Sequence, residues 1–327
     1  MKKFQMHVGG ESRDAIDGNT FDSVNPYTGK VWAQLPRAQA ADVDSAVRIA
    51  HDAFKNGSWS RMTATQRGLI LHRIGDVMTA NAELLADLEV KDNGKLKAEM
   101  LVQMQYLPQW FYYFGGMADK VVGEVTPMDK PGIFHYSTHE PLGVVAAIAP
   151  WNSPVLLALW KVAPALAAGN TVVIKPSEFS SASTIAFAEM CVTAGLPPGV
   201  VNVVTGFGPE VGEPLVTHPL VARVAFTGSE NGGRMVYQNA AKTFKRVSLE
   251  LGGKSANIVF EDANLDDAVK GAVTAIFSAT GQSCMAGSRL LVHSSRGAQQ
   301  LADLALARPQ WDRNDAVLVP PGETVKH

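Results

Sequence analysis

An α/β fold, with a Rossmann-like parallel sheet and flanking helices, is the class this sequence predicts. Three observations carry that expectation. Between residues 144 and 250, short continuous apolar runs alternate with longer helical stretches. The runs are apolar at successive positions, as strands covered by helices on both faces must be. The boundaries are punctuated: Ser153-Pro154 reads as an N-cap followed by proline at the first helical position, while Gly169-Asn170 and Gly195 read as helix stops.

The first forty residues read as a surface arm, with a turn at Asn25-Pro-Tyr-Thr-Gly29 between short extended pieces. Residues 41–54 predict a helix, because Val43, Ala46, Val47 and Ala50 fall on one stripe. Residues 65–78 and 82–88 predict two more. The aromatic run 106–114 reads as a packed helix face, and 121–136 as strands and turns forming a projecting hairpin. The regular alternation follows: strands at 144–149, 171–175, 200–204, 223–226 and 246–250, and helices at 155–168, 180–194, 210–217 and 231–241.

Composition excludes several roles. The 327 residues suffice for about two domains. A net charge of −2, without blocks of like charge, gives no sign of nucleic acid or an anionic membrane as partner. Leu142 to Ala168 is apolar, but Pro150, Asn152, Pro154, Lys161 and Pro164 break it below the length of a membrane helix. Two cysteines, Cys191 and Cys284, imply no disulfide framework and fit a reducing compartment. With no secretory signal in view, the expected location is the cytoplasm.

Ligands of such sheets bind beyond the C-terminal strand ends, and those ends hold reactive side chains. Asn152 follows the first strand. Its amide can donate to a developing oxyanion or form a local Asx turn. Lys175 and Glu178 follow the second. They can hold ribose hydroxyls, Glu178 repelling a 2′-phosphate and so favouring NAD over NADP, or form a solvated pair at a helix entrance. Gly206-Phe-Gly208 follows the third strand; Gly206 to Gly212 has one residue too many for the G-x-G-x-x-G fingerprint. Gly228-Ser229 to Gly233 joins the fourth strand to a helix, with Ser229 placed to cap that helix or meet a phosphate. Glu250 ends the fifth strand. It can activate water or be satisfied by backbone donors. Cys284 lies in a small, polar stretch between Gly281 and Gly287, where sulfur can stay accessible to a carbonyl carbon.

Taken together, Pro150-Trp-Asn152, Lys175-Pro-Ser-Glu178, Phe226-Thr-Gly-Ser229, Leu249-Glu-Leu-Gly-Gly-Lys-Ser255 and Gly281-Gln-Ser-Cys284 resemble the motif series of the aldehyde dehydrogenase superfamily, in order and spacing from about residue 5 to about residue 295. The resemblance implies that Cys284 is the nucleophile and Glu250 the general base. It implies that Asn152 and the Cys284 backbone N–H form an oxyanion hole. By the same resemblance, Lys175 and Glu178 hold the adenosine ribose, and Trp151 and Ser229 flank the pyrophosphate, with Gly208, Gly228 and Gly233 in the cofactor-binding turns. Lys161 resembles a lysine near the active site, and 121–139 an oligomerisation hairpin. NAD is the implied cofactor, an aldehyde the implied substrate, and a homo-oligomer the family expectation.

The resulting domain reading is a dinucleotide-binding domain at 1–249, a partial catalytic domain at 250–296 and a tail at 297–327 that lacks the family's motifs. A chain truncated relative to the family, ending in a shifted reading frame, is the expectation for that tail, with a short helix at 298–307. Apolar residues 290–292 are then expected to be poorly covered. Two other functions fit the same residues: a thiol esterase or acyltransferase using Cys284 without hydride transfer, and a non-catalytic dinucleotide-binding protein. A Cys-His protease fits poorly, since none of the eight histidines lies in a recognisable partner motif.

Overall fold

The computed structural model of the chain describes residues 1–294. The tail expectations for 297–327 lie outside these residues. The chain divides into two compact units, one ending at Leu251 and the other beginning at Gly252. Glu250, read from the sequence as the first residue of the second domain, belongs to the last strand of the first unit, Arg246–Leu251.

The first unit is organised by a seven-stranded sheet. From one edge its strands are Arg246–Leu251, Val221–Gly228, Val144–Ile148, Thr171–Lys175, Val201–Val203, Met6–Val8 and Glu11–Arg13. The first five are mutually parallel; each of the last two is antiparallel to the strand before it. Burial on both faces explains the unbroken apolar runs: Val145 and Ala147 pack into one core, Val144, Ala146 and Ile148 into another on the opposite side.

The predicted helices form where their stripes meet the sheet. Ala40–Lys55 buries Val43, Ala46, Val47 and Ala50 completely. Pro154–Ala167 begins at the predicted proline and ends before Gly169, whose φ of +90° suits only glycine without strain. Ala82–Asn93 and Lys97–Tyr106 extend the helical layer, the latter unpredicted. The aromatic run is a helix, Pro108–Met117, that buries Phe111 beside Phe187 with ring centroids 5.9 Å apart. The 121–136 segment forms a two-stranded antiparallel hairpin of Val125–Thr126 and His135–Tyr136.

The N-terminal segment departs from the surface-arm expectation. Thr20–Asn25 and Lys30–Pro36 do pair around the Asn25–Gly29 turn. But Met6–Val8 is wholly buried and joins the main sheet beside Val201–Val203. A three-residue run paired with a partner almost two hundred residues away leaves no local periodicity to read.

In the second unit, Ala256–Val259 and Arg289–Val292 pair in parallel, linked through the helix Leu265–Phe277. Asn264 caps that helix by accepting from the Asp267 amide at 3.1 Å. Val259 and Val269 make its small core. Leu290 and Leu291 are 44% and 50% exposed, whereas Val292, read with them as poorly covered, is half-buried against that core.

Candidate active site

Parallel strands put all their C-terminal ends on one rim, so the topology fixes the order of the candidate residues there. Register places Glu250 opposite Thr227, one residue before Gly228 ends its strand. The next strand ends at Ile148 and leads into Trp151 and Asn152; its neighbour ends at Lys175, level with Ile148. Gly208 follows Val201–Val203. In chain order, the parallel strands step one way from Val144–Ile148 to Val201–Val203, and the last two step the other way. The chain reverses direction between Val144–Ile148 and Val221–Gly228, the switch point where such sheets open a crevice. Trp151, Asn152 and Ser229 therefore follow the two strands that border it. From Lys175 to Glu250 is three strand spacings, about 14 Å. That distance suits one extended ligand and excludes direct pairing.

Lys175 is buried, and its Nζ donates to the Pro176 carbonyl at 2.9 Å and lies 3.4 Å from Glu178 Oε2. Burial lowers its pKa, and the Glu178 carboxylate pulls it back up. Ser229 is the N-cap of Glu230–Ala241, its hydroxyl accepting from the Gly232 amide at 3.1 Å. Two candidate glycines are explained by packing. A Cβ on Gly228 would come within 2.6 Å of the Phe226 ring, and one on buried Gly233 within 2.6 Å of Leu251. Gly208, by contrast, has open space where a Cβ would go. Trp151 is exposed, and its carbonyl accepts from Ser180 Oγ at 3.0 Å.

Lys161, on Pro154–Ala167, donates to Thr227 Oγ1 at 2.5 Å and to the Leu157 carbonyl at 3.0 Å. Burial pushes its ammonium down to about 8, against the pull of the Glu250 charge. Glu250 itself is exposed, on an edge strand.

Cys284 lies in the second unit, in the connection from Leu265–Phe277 to Arg289–Val292, and is exposed and unbridged. Gly287 closes this loop, its amide donating to the Ala275 carbonyl at 2.9 Å. A Cβ there would meet Ala275 at 3.0 Å, so glycine is what allows the approach. Just upstream, Ala279 and Thr280 hold φ of 56° and 54°, a left-handed conformation unusual for a β-branched residue. Cys191 contrasts on every count: it is fully buried, and burial pushes its thiol far above the usual range.

Sequence reading missed a polar cluster beneath the Asn152 turn. Glu89, Asp92, Asn93 and Lys95 are all buried. The missed signal is spacing: Glu89 and Asn93 continue the stripe of Ala82, Leu85 and Ala86, so polar side chains occupy apolar-face positions. Ser153 begins the next helix as predicted, but its hydroxyl makes no capping bond and instead accepts from Lys95 Nζ at 2.9 Å. Glu89 Oε1 supplies the cap, accepting from the Val155 amide at 3.0 Å.

These buried acids give a pH dependence with a definite sign. Burial pushes the Glu89 carboxyl up to about 7, despite the Val155 amide and the Lys95 charge, and Asp92 up to about 6, despite Ser23, Ala182 and Trp32. Between the ordinary carboxylate values and these raised ones, the folded state binds the extra proton. Their stabilising contribution is complete below the ordinary values and is lost as pH rises through about 7. Unfolding free energy should therefore fall over that window by up to about 1.4 kcal/mol per pH unit for each acid. Urea unfolding of Glu89→Gln at pH 5 and pH 7.5 should show a smaller difference than the parent chain. An equal difference would place the dependence elsewhere.

Among the described residues, no group of three or more His, Cys, Asp or Glu could hold a metal ion, and no helix is long and apolar enough to cross a membrane. The sequence profile of the Aldehyde dehydrogenase family matches residues 13–315, past the point near Arg296 where the motif resemblance ends. The chain is 47% identical over 295 residues to the (Z)-2-((N-methylformamido)methylene)-5-hydroxybutyrolactone dehydrogenase of Acinetobacter baylyi, covering 90% of this chain and 60% of that protein. It is 44% identical to the mitochondrial aldehyde dehydrogenase of Homo sapiens, covering 88% of this chain and 56% of that one. It thus spans less than two thirds of these relatives. The solved NAD+ complex of an aldehyde dehydrogenase from Bacillus cereus superposes with a TM-score of 0.90 at 40% identity, over 93% of this chain and 62% of that one. An NAD-dependent aldehyde dehydrogenase from Sinorhizobium meliloti gives 0.91 at 40% identity, over 94% and 61%. Sequence profile, relatives and fold agree: this chain belongs to the aldehyde dehydrogenase family.

Proposed function

We propose that the chain carries the chemistry of an NAD-dependent aldehyde dehydrogenase, oxidising an aldehyde to a carboxylic acid through a covalent intermediate on Cys284. The observation that carries this reading is the convergence of the Asn152, Lys175, Ser229 and Glu250 segments on one sheet rim at a topological switch point. The exposed Cys284, in a loop closed by Gly287, supplies the accessible sulfur.

Lys175 and Glu178 would hold the adenosine ribose. Ser229 and the first amides of Glu230–Ala241 would meet the pyrophosphate, the helix being long enough for its N-terminus to favour an anion. Trp151 and Gly208 would complete the cofactor's bed, Gly208 having room for a ligand where a side chain would stand. Gly228 and Gly233 would shape the turn through their packing. The Glu178 carboxylate disfavours a 2′-phosphate, hence NAD over NADP.

The Cys284 thiolate adds to the aldehyde carbon, forming a C–S bond while the carbonyl pair moves to oxygen. The Asn152 amide and the Cys284 N–H donate to that oxyanion. What NAD+ supplies when bound is an acceptor for the hydride leaving that carbon, so that a thioester remains on sulfur. Glu250 then takes a proton from water, whose oxygen attacks the thioester carbon and expels the thiolate. Exposed Val122, Val125, Phe134 and Tyr136 on the hairpin support a role in self-association.

Two kinds of substrate test this reading. The full chain is mixed with NAD+ and an aldehyde such as phenylacetaldehyde, and separately with an activated ester. NADH absorbance with the aldehyde supports the dehydrogenase; acyl release from the ester without NADH supports a thiol esterase instead. NAD+ binding without either product supports a dinucleotide-binding protein. Lys175→Ala should weaken NAD+ by about tenfold to a hundredfold, the loss of a charge-assisted hydrogen bond. Unchanged affinity by calorimetry would remove Lys175 from the site.

A further inference from the structure

The turn carrying Asn152 is held from beneath by a buried charged segment. Ala82–Asn93 ends at Gly94, whose φ of +73° reverses the chain and brings Lys95 back under the turn. Three residues of this segment reach three positions of the 152–155 stretch. Asn93 Nδ2 donates to the Asn152 carbonyl at 3.5 Å, Lys95 Nζ to Ser153 Oγ at 2.9 Å, and Glu89 Oε1 accepts from the Val155 amide at 3.0 Å. Asn93 Oδ1 also accepts from the Lys95 amide at 3.1 Å, tying the segment to itself.

Stability alone does not account for this arrangement. Burying a lysine and a glutamate costs desolvation that their attraction rarely repays, and well-packed apolar residues of similar volume do as well or better. A serine at an N-cap ordinarily satisfies its own helix. Here Ser153 gives its hydroxyl to Lys95, and capping passes to Glu89 on another helix. The result is a turn whose backbone is specified from outside its own sequence. Asp92 does not take part: its oxygens accept from Ser23, Trp32 and the Ala182 amide, which fixes a different helix.

We propose that Glu89, Asn93 and Lys95 are positioning residues for Asn152, holding its backbone in one arrangement. The catalytic consequence rests on the proposed function, in which the Asn152 amide donates to the oxyanion. A displacement of that amide matters more to the transition state than to the ground state, because charge appears on oxygen only as the reaction proceeds.

The test uses the full chain with Lys95→Met, and with Ser153→Ala, which removes the same hydrogen bond from the other side and is the milder change. Amide hydrogen exchange at Asn152, Ser153 and Val155, the residues of this stretch that carry an N–H, should quicken at least about tenfold in each variant, relative to the sheet strands. Acylation of Cys284 by p-nitrophenyl acetate should slow by about tenfold to a hundredfold, less than full loss of an oxyanion donor. Alkylation of the same thiol by iodoacetamide, which develops no oxyanion, should keep its rate. Adding Asn152→Ala to Lys95→Met should cost nothing beyond Asn152→Ala alone, because both act through one amide. Unchanged exchange in a folded variant, equal slowing of alkylation, or losses that multiply would each overturn the positioning role. If the unmutated chain forms neither NADH with the aldehyde nor an acyl group from the ester, the dehydrogenase reading falls. Exchange at 152–155 then decides the positioning role alone.

Discussion

Cys284→Ala should, on the proposed function, abolish both aldehyde-dependent NADH formation and acyl release from an activated ester, a loss of about a thousandfold or more, as for removal of a covalent nucleophile. The two cysteines make the experiment clean. Iodoacetamide needs a thiolate that it can reach. Cys284 is exposed in a loop, whereas Cys191 is buried and its thiol is pushed up by that burial. Labelling should therefore fall to background in the folded variant and return only on unfolding, when Cys191 is released. Mass spectrometry of the labelled chain before and after denaturation reads both. Equal labelling of the parent and Cys284→Ala under native conditions would show that Cys191 opens readily, and would remove the reason for assigning reactivity to residue 284. The variant itself should fold normally, since an exposed sulfur contributes little packing.

The contrast between these cysteines is legible in the amino-acid sequence because it is local: apolar neighbours surround one, small polar residues and glycines the other. The same is true of the sheet. Continuous apolar runs at 144–148 and 171–175 announce burial on both faces, and the side chains after them are where a parallel sheet exposes its loops. What sequence does not display is pairing at long range. Met6–Val8 joins Val201–Val203 through a contact that no periodicity encodes. Lys95 and Glu89 are hidden for a related reason. Their residue types belong on surfaces, and only the packing of Ala82–Asn93 under the 152–155 turn makes them interior groups. Ser153 shows the limit most plainly. Its position as an N-cap is readable; its hydrogen bond is not, because the donor comes from another element. Gly233 gives the opposite lesson: a glycine placed in a cofactor turn by its motif is needed there to admit Leu251.

On the proposed function, Glu250→Gln should separate the two halves of the reaction. Acylation needs no base acting on water, so the first burst of NADH or of ester leaving group should persist. Thioester hydrolysis should slow by about a hundredfold to ten-thousandfold, the range for general-base catalysis, and the acyl-enzyme should accumulate to a mass detectable on the intact chain. The substitution preserves shape at an exposed edge-strand position, so at pH above the Lys161 value it should leave stability within about 0.5 kcal/mol. It does remove a negative charge that sustains the Lys161 ammonium. Burial already pulls that group down to about 8, and without Glu250 it moves lower still. A depressed lysine contributes stability above its unfolded value and loses it as pH falls through its folded one. Glu250→Gln should therefore carry that loss to lower pH, which parallel unfolding titrations of Glu250→Gln and Glu250→Gln/Lys161→Met will detect. Burst and steady state falling together would mean that residue 250 shapes the site without acting as the base. Hydrolysis at the parent rate would mean that some other group activates the water.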